Sequence, residues 1–202
     1  MKRLIIIIGA LIITGNFSCF SQDIKLPSPK RTGGKPLMDA LNERQTNREF
    51  SSKELSLQTL SDLLWAANDF NRETKRTAPS SQDRQELDLY VFLNSGIYFY
   101  DAKNQQLIHK LQGNHQAKTG QQPFVATAPL NIVFVANLDK ASNRDAALTD
   151  CGFISQNIYL FCASEGLNSV VRGMVDKEEV HRLLGLSEKQ EVMLAQTVGY
   201  KQ

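Results

Sequence analysis

The sequence has little of what usually announces chemistry. Its 202 residues hold 3 cysteines, 3 histidines and 1 tryptophan. His109, His115 and His181 have no cysteine or carboxylate partner at a metal-ligating spacing, so no metal centre is expected. HExxH, CxxC and GxSxG are missing, which argues against a zincin protease, a dithiol redox pair and a nucleophile-elbow hydrolase. GxGxxG and GxxxxGK[ST] are also missing, so neither a dinucleotide fingerprint nor a P-loop is indicated. The longest apolar run, Leu4–Ile13, is well short of the roughly 20 residues that span a bilayer.

That run has a different reading. Lys2 and Arg3 precede it, and small or polar residues follow it, as in a secretory signal peptide. Cys19 and Ser21 stand three and one residues before a cut that would leave Gln22 first. The expectation is a signal peptide over residues 1–21 and an exported, periplasmic protein. Lipid attachment at Cys19 is the alternative; Asn16 and Phe17 fit such a site poorly. Without Lys2 and Arg3 the basic and acidic residues balance at 21 each, so no charge excess points to nucleic acid or an anionic membrane.

Cys151 and Cys162 fall in one helical pattern, eleven positions apart. At 1.5 Å per residue they would lie about 16 Å from each other, beyond disulfide reach. They read as small buried hydrophobes. A Cys162–His181 nucleophilic pair would need an activated thiol, and an apolar helix has the opposite effect. Glu178 and Glu179 read as a solvated helix face.

The rest of the chain reads as one domain. Residues 22–36, rich in Pro, Gly and Lys, form an extended arm, and the domain runs over 37–202. Pro36 opens a short helix with Leu37, Ala40 and Leu41 at helical spacing. Ser56 caps a second helix with an apolar stripe at Leu57, Leu60, Leu63, Leu64 and Ala67. A polar loop, 71–86, precedes a hairpin of "LDLYVFLN" and "GIYFYD" turning at Ser95-Gly96, which "NQQLIHKL" extends. A short helix and the apolar strand Leu130–Ala136 follow. The longest helix, 146–165, is apolar almost all round, so a domain or a second subunit should cover it. It stops at Gly166. "NSVVRGMV" is a short β-branched stretch, Asp176 caps another helix, and "EVMLAQTVGY" is a last strand. The fold class is α+β, with a mixed or antiparallel sheet flanked by helices.

"ERQTNREF", residues 43–50, is the stretch whose residue types suggest a ligand. Extended, Arg44, Thr46 and Arg48 would share a side. Two guanidiniums around a hydroxyl suit a phosphate. A solvated helix end with ordinary surface arginines explains the same residues, and this stretch alone leaves both open.

Three stretches, "RQTNREF", "RTAPSSQDRQELDLYV" and "DCGFISQNIYLFCASEGLNSVVRGMVD", with the closing "VGY", together resemble the FMN-dependent nitroreductase superfamily, in particular its SagB-type dehydrogenase-like branch. The resemblance runs from about residue 37 to the C-terminus. It implies an intertwined homodimer with FMN at the subunit interface, much of it formed by the longest helix. It further implies ping-pong hydride transfer from NAD(P)H or another reduced donor to a quinone, nitro compound or similar acceptor, with no protein nucleophile. Arg44 would pair with the phosphate, Thr46 would supply a hydroxyl, and Arg48 would lie near the pyrimidine of the flavin. Gln45 replaces a usual basic residue. Pro79, Ser80 and Ser81 would lie against a flavin, commonly the partner's. Asp83 stands where the family usually has Asn, and a carboxylate there would repel reduced flavin unless it turns to Arg84 or another cation. Gln85 matches the pattern. Val170 and Val171 would pack on the ring, with the N–H groups of Arg172 and Gly173 beside N5. Lys201 would be a second phosphate cation. Asp83 and Gln45 also admit a non-catalytic flavin-binding or structural dimer of the same fold.

Overall fold

A computed structural model describes residues 22–202; the segment read as a signal peptide lies outside them. The elements in chain order are β1 Ile24–Lys25, α1 Leu37–Glu43, α2 Leu57–Asn68, β2 Leu87–Leu93, β3 Gly96–Asp101, β4 Gln106–Gln112, α3 Pro123–Thr127, β5 Leu130–Asn137, α4 Arg144–Glu165, β6 Leu167–Arg172, α5 Lys177–Leu184 and β7 Gln190–Tyr200. The strands form a seven-stranded sheet in the order β1-β4-β3-β2-β5-β7-β6.

Every neighbouring pair in that sheet is antiparallel, so the sheet is not mixed. The reason lies in β7. Helix α4 carries the chain from β5 to β6, a connection that ordinarily makes parallel neighbours. Here β7 inserts between them and pairs with both. This insertion leaves β6 at the edge of the sheet.

Strand β5 is buried along nearly its whole length because both faces of the sheet are covered. Leu130, Ile132 and Phe134 pack with Leu63 and Leu64 of α2 and Ile154 and Ile158 of α4. Val133 and Val135 face the other way, against Val180 of α5. The hairpin turns where expected, and an added Cβ at Gly96 would stand 2.6 Å from the Leu111 carbonyl oxygen. Caps form as read: the Ser56 hydroxyl accepts from Thr59 N–H, and the Asp176 carboxylate accepts from Glu179 N–H. Helix α4 starts two residues earlier than the sequence suggests, capped by Asn143, and Gly166 ends it in a left-handed conformation at φ 70°.

Two readings change. The arm is partly sheet: Ile24 and Lys25 pair with Leu107 and Gln106, and Leu26 is buried. Helix α4 is not covered all round by its own chain. Ala147, Cys151, Ile154, Ile158 and Cys162 point inward, while Leu148 and Phe153 stay exposed. Leu37 and Met38 of α1 are also exposed, at 62% and 73%.

The closing Val-Gly-Tyr has a packing role. A Cβ on Gly199 would lie 2.8 Å from Pro129 Cδ and 3.2 Å from Phe50 Cδ1, and a proline ring cannot swing aside. Gly199→Ala is therefore expected to lose about 1–3 kcal/mol of stability, read from urea unfolding. A midpoint equal to the parent's would show that Pro129 and Phe50 yield freely.

Candidate functional site

After α1 the chain leaves helical geometry at Arg44, φ −59° and ψ 120°, and has no regular secondary structure as far as Phe50. It is tied along β6 and β7. Asn47 N–H donates to Ser169 O (3.0 Å), the Asn168 side-chain amide donates to Glu49 O (2.7 Å), and Ser51 N–H donates to Tyr200 O (3.0 Å). Beside this segment is a cavity of about 250 Å³ lined by Arg44, Gln45, Asn168 and Lys201, with Tyr159 and Cys162 of α4 behind them. The structure thus brings Arg44, Gln45 and Lys201 together. Glu43 also lines the cavity, but Lys35 pairs with it, so the balance there is cationic. Arg48 lies further along, exposed and outside the cavity.

Tyr159, almost completely buried, joins the parts. The Arg44 guanidinium carbon stands 5.4 Å from the centre of its ring. Its hydroxyl is 3.0 Å from Thr46 Oγ1 and accepts from Val171 N–H at 2.9 Å. Sequence reasoning missed this residue. A phenol on a buried helix face needs a polar partner, and that was the available signal.

On β6, Val171 N–H and Ser169 O both point away from β7. The two-residue period then turns the N–H groups of Val170 and Arg172 into the ladder and directs Gly173 outward. The Val170 side chain is sealed in a cluster with Phe50 and Ala128. The Arg172 side chain is buried too. Its Nε donates to Thr197 Oγ1 (3.0 Å), Nη1 to Thr119 O (2.8 Å) and Nη2 to Asn131 Oδ1 (3.1 Å). Among the described residues no carboxylate pairs with it, and burial pushes its pKa down to about 10. Beside Gly173 a Cβ would meet only Leu194, at 4.0 Å, so the backbone there is open to an approaching ligand.

Pro79–Gln85 lies at the other end of α4. Ser81 N–H donates to Asp150 Oδ2 (2.8 Å), and Gln85 N–H to Ser80 Oγ (3.0 Å). Asp150 and Tyr159 are nine residues apart on α4, about 14 Å. Gln82, Asp83 and Gln85 have φ of 55°, 56° and 49°, a run of left-handed non-glycine residues that marks a strained loop. Asp83 turns to Lys75 rather than Arg84, and that pairing holds its carboxyl below the usual carboxylate range. Gln85 donates to Thr74 O (2.8 Å) and accepts from Arg76 Nε (3.1 Å).

The thiols are unsuited to catalysis. Burial pushes Cys151 up to about 12 and raises Cys162 further. Among the described residues no His, Cys, Asp and Glu group could hold a metal, and no helix is long and apolar enough to cross a membrane.

A cavity lined by Arg44 and Lys201, the Thr46 hydroxyl hydrogen-bonded to the Tyr159 phenol behind it, and an open backbone stretch on an edge strand lie together on an α+β scaffold. The profile of the nitroreductase family matches residues 41–200, and the chain belongs to that family of flavin-dependent oxidoreductases. A Methanocaldococcus jannaschii protein bearing the nitroreductase name is 28% identical over 185 residues, covering 83% of this chain and 92% of its own. A crystal structure of a Ralstonia eutropha JMP134 protein of the same description superposes with a TM-score of 0.84 at 39% identity, covering 90% of each chain. An FMN-dependent nitroreductase of Clostridium difficile R20291 shares the fold at 21% identity, with a TM-score of 0.59 over 81% of this chain and 87% of its own.

Beneath the Pro79–Gln85 loop, Glu86 and Asp150 are both buried, and neither Glu86 oxygen has a hydrogen-bond partner among the described residues. Burial first, then Asp150, raises the Glu86 carboxyl above its ordinary value. The unfolded chain therefore releases this proton at lower pH than the native state. Stability falls as pH rises from about 4.3 toward the native-state value. Glu86→Gln should raise the Tm at pH 7–8 and give no gain near pH 4. A gain independent of pH would remove the proton from the explanation.

Proposed function

We propose that the chain is an exported FMN-dependent oxidoreductase acting as a homodimer, with the 1–21 segment as its signal peptide and 37–202 as its catalytic domain. The cavity carries this reading. Arg44, with Lys201 opposite and the Thr46 hydroxyl close by, forms a cation and donor set that fits a phosphate monoester. The open backbone at Gly173 fits a flat ring brought against β6.

In this reading Arg44, Gln45, Thr46 and Lys201 hold the phosphate end, and Arg48 lies further along toward the ring. The outward N–H of Gly173 serves the N5 position, while Val171 and the backbone of β6 form the wall. The side chains of Val170 and Arg172 support that wall from within. Bound FMN would supply hydride acceptance and donation at N5. The chain orients it and keeps positive charge nearby, and a ping-pong exchange between a reduced donor, NAD(P)H or another, and a quinone or nitro acceptor needs no protein nucleophile. The uncovered apolar residues Leu148 and Phe153 on α4, with Leu37 and Met38 on α1, supply the face for a second copy. Pro79, Ser80, Ser81, Asp83 and Gln85 then serve the partner's site. Lys75 offsets the charge of Asp83, which therefore need not oppose a reduced flavin.

Purified protein should be yellow, bleach with NADH or NADPH, and recover colour with a quinone. A colourless protein that binds no added FMN would favour a structural dimer. Arg44→Ala should weaken FMN binding by about 1.5–3 kcal/mol, the scale of a charged hydrogen bond, measured by quenching of flavin fluorescence. Unchanged affinity would place the phosphate elsewhere.

A further inference from the structure

We propose that Tyr159 is a positioning residue that fixes the direction of a hydrogen-bond relay, from Val171 N–H through the Tyr159 hydroxyl to the Thr46 hydroxyl, and so aims the Thr46 proton at an anionic phosphate oxygen. A backbone N–H can only donate, so at 2.9 Å the phenol oxygen is the acceptor from Val171. The phenol has one proton. Tyr159 is 8% exposed, and among the described residues the remaining partner of its hydroxyl is Thr46 Oγ1, at 3.0 Å. The reverse polarity, with Thr46 donating to Tyr159, would leave the phenol proton with no acceptor among the described residues, turned toward the cavity that Tyr159 also lines. The polarity that pairs the phenol proton within the chain is the one proposed, with Tyr159 donating to Thr46.

The consequence falls on Thr46. Its oxygen lone pair is engaged by Tyr159, and its own proton must point away from that ring. Thr46 is exposed. Arg44, two residues earlier, lies over the Tyr159 ring and lines the cationic cavity. Thr46 does not itself line that cavity, but its neighbours Arg44 and Gln45 do, so the relay's free end is a hydrogen-bond donor at the border of a cationic cavity, which calls for an oxygen carrying negative charge. Each donor in such a chain is strengthened by the one before it. An anion that accepts from Thr46 consequently tightens the bond at Val171, the outward N–H of β6 two residues before Gly173. The relay mechanically couples the phosphate end of the site to the strand that forms its wall.

The phosphate's belonging to FMN rests on the proposed function; the relay's polarity does not. Tyr159→Phe keeps the ring beneath Arg44 and removes only the hydroxyl, and Thr46→Val removes the other hydroxyl at nearly the same shape. In cofactor-free protein, amide hydrogen exchange at Val171 should speed up at least about tenfold in Tyr159→Phe and change little in Thr46→Val. Each variant should bind FMN about tenfold more weakly, and the double variant no more weakly than the worse single one, because both break one relay. Riboflavin, which lacks the phosphate, should bind all forms alike.

Unaltered Val171 exchange in Tyr159→Phe overturns the relay, whatever the flavin results. Losses that multiply toward a hundredfold in the double variant show two independent contacts and also overturn it. Equal losses for riboflavin and FMN would remove phosphate as the target. Parent protein that binds no FMN, yet shows the exchange effect and binds inorganic phosphate more weakly after Thr46→Val, would sustain the relay and defeat the flavin reading.

Discussion

An edge strand has to satisfy half of its backbone groups without a neighbouring strand, and β6 meets that constraint in a way that creates the site. Ser169 O is taken by Asn47 N–H and Val171 N–H by the Tyr159 hydroxyl. The first bond brings the arginine-bearing segment alongside the sheet. The second fixes that segment to α4, because the same hydroxyl meets Thr46. Had β6 been a central strand, those groups would have gone to another strand and the cavity between Arg44 and Lys201 would not exist. The placement of β7 is thus the topological origin of the site.

That same placement explains why parts of the site could be read from sequence and parts could not. The two-residue spacing of Arg44, Thr46 and Arg48 is a local property, and the chain is out of the helix from Arg44 onward. Hairpin, caps and helix stops are local too, and they stand where the residue types put them. Which face of "SVVRG" turns outward is not local. It depends on the register with β7 and on Asn47, more than a hundred residues away. The side chains of Val170 and Arg172 turn into the interior. The strand order is not local either, since nothing in β5, α4 or β6 says that a later strand will separate them. Tyr159 was hidden by its surroundings. An aromatic residue in "NIYLFCA" reads as core, and Tyr159 is buried; its hydroxyl meets Thr46 Oγ1 and Val171 N–H.

Pro79–Gln85 shows the opposite balance between residue type and role. Ser80 and Ser81 close the loop, through Gln85 N–H and Asp150. The three left-handed residues Gln82, Asp83 and Gln85 each cost something to hold. The buried Asp150 carboxylate, the Lys75–Asp83 pair and the Gln85 contacts are what over-determine that conformation. A loop held this firmly presents a preformed edge to whatever packs beside it, including the apolar stretch of α4 near Phe153.

Arg172 completes the support of β6 from the other side. A buried guanidinium without a carboxylate is costly unless its donors are matched, and here they reach β7 at Thr197, β5 at Asn131 and the turn at Thr119. An Nη1 this close to Gly120 leaves no room for a Cβ there, since one would stand only 2.2 Å away. Lysine could not replace it. One ammonium cannot present planar donors in three fixed directions, and as a compact, strongly hydrated charge it would lose its proton more readily at that depth. The strand is therefore clamped twice, by the Tyr159 hydroxyl on its outer edge and by a cation within the core. Gly173 directly follows the clamped residue. Its backbone is held in a definite position by groups on both sides of the strand, which is the kind of support that main-chain contacts to a ligand require.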